Sequence, residues 1–220
     1  VAIPASFTLA CLDHAEREQN ATLLPRLLSL RNCLVVATNF LFPVRGSTMA
    51  GLLKDDLVID DSNFTFFCRT CKGFTGNNLQ NRPLLQIPIS ANTRLAMLLR
   101  VWKEKQALIF GKKQLSHFWQ LPHEIPAKWS ADTVSRWLQQ AAAQLNCAAP
   151  TGEKWSSHSL RKGGASAANA AGVNLALIRY LGAWAKTSHV VLDYIDPLML
   201  PDEASRAFFG WLSSSNFYPV

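Results

Sequence analysis

The sequence predicts an α+β domain, mainly α-helical, with one small three-stranded antiparallel sheet. Apolar residues recur at helical spacing in several long segments, a hairpin signal surrounds Asp61 to Asn63, and one more alternating strand follows it. Residues 1–20 show little periodicity and read as an N-terminal tail or linker, leaving 21–220 as the domain. Ala21, Leu24, Leu27, Leu28 and Arg31 begin a helical pattern that tolerates Pro25 in its first turn, runs toward Phe42 and ends at Pro43. A second helical segment, Ser47 to Lys54, leads into Leu57–Asp60, and Phe64–Thr70 returns as the partner strand. Gly73 to Arg82 is rich in Gly, Asn and Gln and reads as a loop, before Leu85, Ile87 and Ile89 alternate on the third strand.

Helices dominate the remainder. Leu95, Leu98, Leu99 and Trp102 form one apolar stripe, and Val134, Trp137, Leu138, Ala141 and Leu145 another. Between them, Gly111 to Pro126 reads as a loop whose His117 and His123 are surface residues rather than metal ligands. The segment Trp155 to Ser166 opens a helix with Ser156 or Ser157 as N-cap, and Val173 to Leu181 forms a short one. Asp202 to Leu212 is amphipathic, with Ala204, Ala207, Phe208, Trp211 and Leu212 as its apolar side.

At 220 residues, 49% apolar and 17% charged, the chain is globular in composition rather than disordered. Folding a chain of this size buries roughly 70% of its unfolded surface. The net charge of +7 suits either a polyanion-binding surface or merely a soluble one. The longest apolar run, Cys33 to Val44, is broken by Thr38, Asn39 and Pro43 and is too short for a membrane span. The chain starts at Val1 without a leader pattern, which suggests a piece of a longer polypeptide. Five scattered cysteines favour a reducing, intracellular compartment. Cys68 and Cys71 have the spacing of half a zinc site but lack a second ligand pair, so buried strand cysteines are the better account. No phosphate-binding Gly loop, nucleophile elbow or paired-carboxylate signature is present, and no cofactor is implied.

The chemistry concentrates late in the chain. His158 and Arg161 are three residues apart, which puts both on one face of a helix's first turn, where free N–H groups and the helix dipole already favour an anion. Gly163 and Gly164 each lower helix propensity by about 1 kcal/mol relative to Ala, a penalty best explained by close approach of another backbone. Further on come Gly182-Ala183-Trp184 and Tyr194, one of only three tyrosines. Taken singly, Arg45 and Arg161 fit surface ion pairs, Lys72 a solvated turn, and Trp184 and Tyr194 a core.

Together, in this order, these residues resemble the tyrosine recombinase (phage integrase) family across roughly residues 21 to 200. The family pattern is His-x-x-Arg at a helix start, then a His or Trp, then a nucleophilic Tyr, matched by His158, Arg161, Trp184 and Tyr194. Its earlier Arg and its hairpin Lys are matched by Arg45 and Lys72. The phrase from His158 to Ser166 is similar to the eukaryotic mobile-element branch, which would imply a nuclear location. Two positions depart from the pattern: Thr48 stands where many relatives carry an acidic residue, and Trp184 to Tyr194 is ten residues, one more than the family spacing.

The resemblance implies the catalytic domain of a DNA breaking-rejoining enzyme acting on double-stranded DNA through a 3′-phosphotyrosyl intermediate. Arg45 and Arg161 would grip the phosphate, Lys72 protonate the leaving 5′ oxygen, His158 assist proton transfer, Trp184 pack and donate its N–H, and Tyr194 attack. Lys54, Arg69, Arg82, Lys112, Lys113, Lys162 and Lys186 are candidate phosphate contacts. A homo-oligomer on DNA is expected, with the C-terminal helix packing on its own core or on a neighbouring protomer. The alternatives are a decayed or domesticated DNA-binding module and a type IB topoisomerase-like relaxing enzyme.

Overall fold

The computed structural model describes residues 1–20, 22–68, 84–111, 115–126, 129–185 and 187–214. Helix α2 (Leu24–Leu41) is the spine, because every residue from Ser29 to its end is buried. Its neighbours are α1 (Ala5–Glu18), α5 (Ala131–Gln144) and α6 (Ser157–Ala170), while α8 (Glu203–Ser214) lies across α1 and α6. The sheet of β1 (Leu57–Ile59), β2 (Asn63–Phe67) and β3 (Leu84–Pro88) is antiparallel in that order, with Phe66 opposite Leu57 on one side and Leu85 on the other. The period-two pattern turns Phe64, Phe66, Leu85 and Ile87 inward, and Phe42 meets the rings of Phe64 and Phe66 at 6.2 and 5.3 Å. The predicted α+β class with a small three-stranded sheet is therefore what the chain forms.

Both predicted stripes are core faces: Leu95, Leu98, Leu99 and Trp102 on α4 (Thr93–Phe110), and Val134, Trp137, Leu138 and Ala141 on α5. The short α3 (Gly46–Ala50) stops four residues before the expected Lys54, and α7 (Leu175–Leu181) has the expected end. Among the described residues no helix is long and apolar enough to cross a membrane.

Residues 1–20 are not a tail, since α1 occupies most of them and packs on α2. Its buried side is built from Ala5, Thr8, Cys11, His14 and Ala15 beside Phe7 and Leu12, so small and polar residues dilute the apolar pattern. The His14 ring bonds Ser29 at 2.6 Å, Arg94 of α4 pairs with Asp13 and Glu16, and the Ile3 amide donates to the Ser159 carbonyl at 3.2 Å. His117 is half-buried rather than a surface residue, its ring edge-on to Trp129 at 5.7 Å, whereas His123 is exposed as expected. Cys68 is buried as expected but disulfide-bonded, while Cys11, Cys33 and Cys147 are free; Cys71 lies outside the described residues.

On α8 the buried side is Ser205, Phe208, Phe209 and Leu212, and Ala207 is exposed, so the stripe sits slightly off the expected one. Phe40 receives Phe208 edge-on at 5.3 Å and Phe209 at 5.7 Å, which docks α8 on its own chain's core. Each buried phenyl contributes about 1.5–3 kcal/mol to that docking. The Gly163–Gly164 pair is explained as expected: a Cβ at either position would run into the backbone of Ile3 or Phe40, so α6 rests directly on the main chain beneath it.

Candidate active site

The site is assembled around the first turn of α6. Ser156 is its N-cap, accepting the Ser159 amide at 3.3 Å while Ser159 Oγ accepts the Ser156 amide at 3.2 Å. That box fixes the register in which His158 faces solvent and Arg161, one turn later, points inward with only 3% of its surface exposed. α3 seats against the same turn through Gly46, where a Cβ would lie 2.5 Å from Ser157 Cβ and 3.2 Å from Ala131 Cα. Arg45, the residue before it, is exposed and near enough for its charge to act on Arg161.

Trp184 is delivered by the end of α7. The Ala183 amide donates to Tyr180 at 3.0 Å and the Trp184 amide to Arg179 at 2.9 Å, the two bonds of a Schellman stop. Ala183 holds the left-handed position at φ 52°, where Gly is the usual occupant. The indole then folds back over Gly182, and its ring fills the place of any Cβ there. Tyr194 ends a 3-10 turn, Val190–Tyr194, packed on α6.

The side chains meet at short range. Arg161 Cζ lies 3.9 Å from the Trp184 ring centroid and 5.1 Å from that of Tyr194. The Tyr194 ring is 4.9 Å from His158 and 5.4 Å from Trp184. The ten-residue spacing is thus taken up by the intervening turns, including a Ser188 amide to Ala185 carbonyl bond of 2.9 Å, without displacing Tyr194. Below it, Ser166 Oγ donates to the Tyr194 carbonyl at 3.0 Å and accepts the Asp196 amide at 2.8 Å.

The electrostatics of the site are dominated by burial and by cations close to one another. Burial is the largest influence on Arg161, and with Arg45 nearby it brings the guanidinium down to about 10, against the opposing pull of the Tyr194 hydroxyl. No carboxylate among the described residues pairs with Arg161, and its buried Nε–H has no acceptor. Burial, followed by the charges of Arg161 and Lys162, holds His158 below the ordinary imidazole value, which leaves it neutral near pH 7 and able to accept a proton. Two guanidinium groups, a neutral imidazole and a phenol converging in one place suit attack on a phosphodiester.

Five of the six candidate catalytic residues, Arg45, His158, Arg161, Trp184 and Tyr194, are brought together; Lys72 lies outside the described residues. Of the candidate phosphate contacts, Lys162 is half-buried and acts electrostatically on His158, while Lys54 is exposed and 3.8 Å from Asp55. Arg69, Arg82, Lys112, Lys113 and Lys186 lie outside the described residues. Thr48 is buried on α3. Among the described residues no cluster of His, Cys, Asp and Glu could hold a metal. The sequence assigns no role to Gly46 or Ser166, and it shows Gly182 only as part of Gly-x-Trp after a helix; a serine inside a helix carries no such signal.

No protein-family model matches the chain, and no curated protein sequence does. Solved structures do. The XerH site-specific recombinase bound to palindromic difH substrate, a post-cleavage complex, aligns with a TM-score of 0.60 and 11% identity over 95% of this chain and 50% of that one. The pre-cleavage complex of XerH with difH substrate aligns with a TM-score of 0.56 and 14% identity over 83% of this chain and 47% of that one. The chain spans about half the length of either. At such identities the likeness is one of fold: helices with a three-stranded antiparallel sheet, matching the fold of a tyrosine recombinase catalytic domain.

Proposed function

We propose that this chain is the catalytic domain of a tyrosine recombinase or integrase, which cuts and rejoins double-stranded DNA through Tyr194. The observation that carries this reading is Arg161: a buried guanidinium that has, among the described residues, no carboxylate partner and no acceptor for its Nε–H, with a second Arg nearby, stacked on Trp184 and 5.1 Å from the ring of the phenol that would attack. A cation desolvated without a counter-charge is unfavourable until an anion arrives. A phosphodiester supplies one, and its pentacoordinate transition state, more negative still, gains more from the two guanidiniums than the ground state does.

In this reading Tyr194 Oη forms a bond to phosphorus as the bond from phosphorus to the 5′ oxygen breaks. The phenolic proton passes to neutral His158, and Lys72 gives a proton to the departing 5′ oxygen. The 3′-phosphotyrosyl bond conserves the diester's free energy, so a second 5′ hydroxyl reverses the step and joins a new strand. Mass and charge balance without a further reactant. Trp184 holds Arg161 in place by stacking. A recombinase of this type works as an oligomer on DNA inside the cell, and kinship with mobile elements of eukaryotes belongs to the same proposal.

A pool of nicked suicide duplexes of randomised sequence tests it. The expected result is a protease-sensitive protein–DNA adduct mapped to Tyr194 and lost in Tyr194→Phe; sequencing the trapped duplexes gives the preferred target. Retention of duplex with no adduct would instead support a DNA-binding module.

A further inference from the structure

We propose that Ser166 is a positioning residue that fixes the backbone of Tyr194 to the helix carrying His158 and Arg161, an inference that rests on the functional reading above. Ser166 lies on α6 eight residues after His158 and five after Arg161, and none of its surface is exposed. Its hydroxyl makes two bonds to the nucleophile's segment, donating to the Tyr194 carbonyl at 3.0 Å and accepting the Asp196 amide at 2.8 Å.

Among the described residues, neither of those two groups has a main-chain partner. At Tyr194 the 3-10 turn ends, and Ile195 turns extended at φ −89° and ψ 121°. Asp196 then begins a new turn, its carbonyl accepting Met199 at 3.2 Å and its Oδ1 accepting Leu198 at 3.0 Å. Between the two turns the chain has no ladder of its own, and one serine bridges the gap. The serine belongs to a helix anchored by backbone-to-backbone packing at Gly163 and Gly164. Phenol, imidazole and guanidinium are thus referred to a single rigid element, though Tyr194 arrives from a segment more than twenty residues downstream of α6. Rate is sensitive to such placement, since an error of about 1 Å can lower it by about 10²-fold.

The test compares Ser166→Ala and Ser166→Thr with the parent chain on the randomised nicked-duplex pool. With duplex saturating, Ser166→Ala is expected to form adduct about 10- to 100-fold more slowly while its affinity for the pool stays within about twofold, and Ser166→Thr to recover most of the rate. Amide exchange adds a readout independent of turnover: the Asp196 amide is expected to lose protection in Ser166→Ala and keep it in Ser166→Thr, with cooperative melting in both. Unchanged adduct formation in Ser166→Ala, or unchanged protection at Asp196, would overturn the positioning role. So would a loss of affinity that accounts for the slower rate. Absence of a Tyr194-dependent adduct in the parent chain would strike the functional reading instead, and the exchange result would still decide whether Ser166 holds the segment.

Discussion

Arg31 and Arg161 are both almost wholly buried, and each stacks on a tryptophan, yet their surroundings are opposite in kind. Arg31 pairs with Glu124 at 2.5 Å, donates through Nε and Nη2 to Asn32 Oδ1 at 3.2 and 3.1 Å, and lies 4.3 Å over Trp137. Burial lowers its pKa, and Glu124 opposes that effect. Arg161 has an aromatic lining and another cation for company. A buried arginine whose counter-charge is internal joins elements of the fold, whereas one with no carboxylate partner among the described residues is what the proposed phosphate site calls for.

That contrast can be broken by truncating each in turn. Arg31→Ala strands Glu124 and should cost about 3–5 kcal/mol of stability, read by denaturant unfolding. Arg161→Ala removes a desolvated charge that no carboxylate among the described residues offsets, so its stability should change by less than about 1 kcal/mol while adduct formation slows by roughly 10²- to 10³-fold. If Arg161→Ala unfolds as readily as Arg31→Ala, the guanidinium is a structural member and the anion-site reading loses its main support.

A milder probe adds an anion. Inorganic phosphate at ten times its dissociation constant should stabilise the parent chain by about 1.4 kcal/mol, seen as a raised melting temperature against chloride of equal ionic strength. Arg161→Ala should show no such gain, and Arg31→Ala should keep it. Equal gains in parent and Arg161→Ala would place the phosphate elsewhere.

The two arginines also mark what the sequence made legible. Arg161 was visible because its motif is local: His158, the serine cap and the glycine pair fall within one turn or two, and helix geometry alone puts them together. The α4 and α5 stripes and the hairpin were readable for the same reason, each being a periodicity inside one element. Arg31 falls within a helical apolar pattern, in keeping with its burial, but its partner Glu124 is 93 residues away and no pattern pairs them. Helix α1 failed for a different reason. Its buried side is made of small and polar residues whose interactions, His14 with Ser29 and Arg94 with Asp13, are supplied by other helices. Tyr194 itself was found through a family resemblance, since an isolated tyrosine among Val190, Val191 and Ile195 reads as core.

The smallest expected effect concerns strain beside Arg161. Among the described residues three helices end in the same pair of Schellman bonds, and the left-handed residue is Asn146 after α5, Gly172 after α6 and Ala183 after α7. Asn and Gly tolerate that conformation, whereas a β-carbon in Ala, with no side-chain hydrogen bond in return, costs roughly 1–2 kcal/mol. The unfavourable occupant therefore sits at the stop that delivers Trp184 to Arg161, the same corner that holds the uncompensated charge. Ala183→Gly should raise stability by about 0.5–1 kcal/mol, less than the strain relieved because glycine also has more freedom to lose on folding. Asn146→Gly should change it by a few tenths. The gain at Ala183→Gly should come with adduct formation a few-fold slower, because the linkage that holds the indole against the guanidinium has become less restricted. A destabilised Ala183→Gly would mean that the methyl group is held by contacts outweighing its backbone conformation, and the two ends of α6 and α7 would then differ in packing rather than in strain.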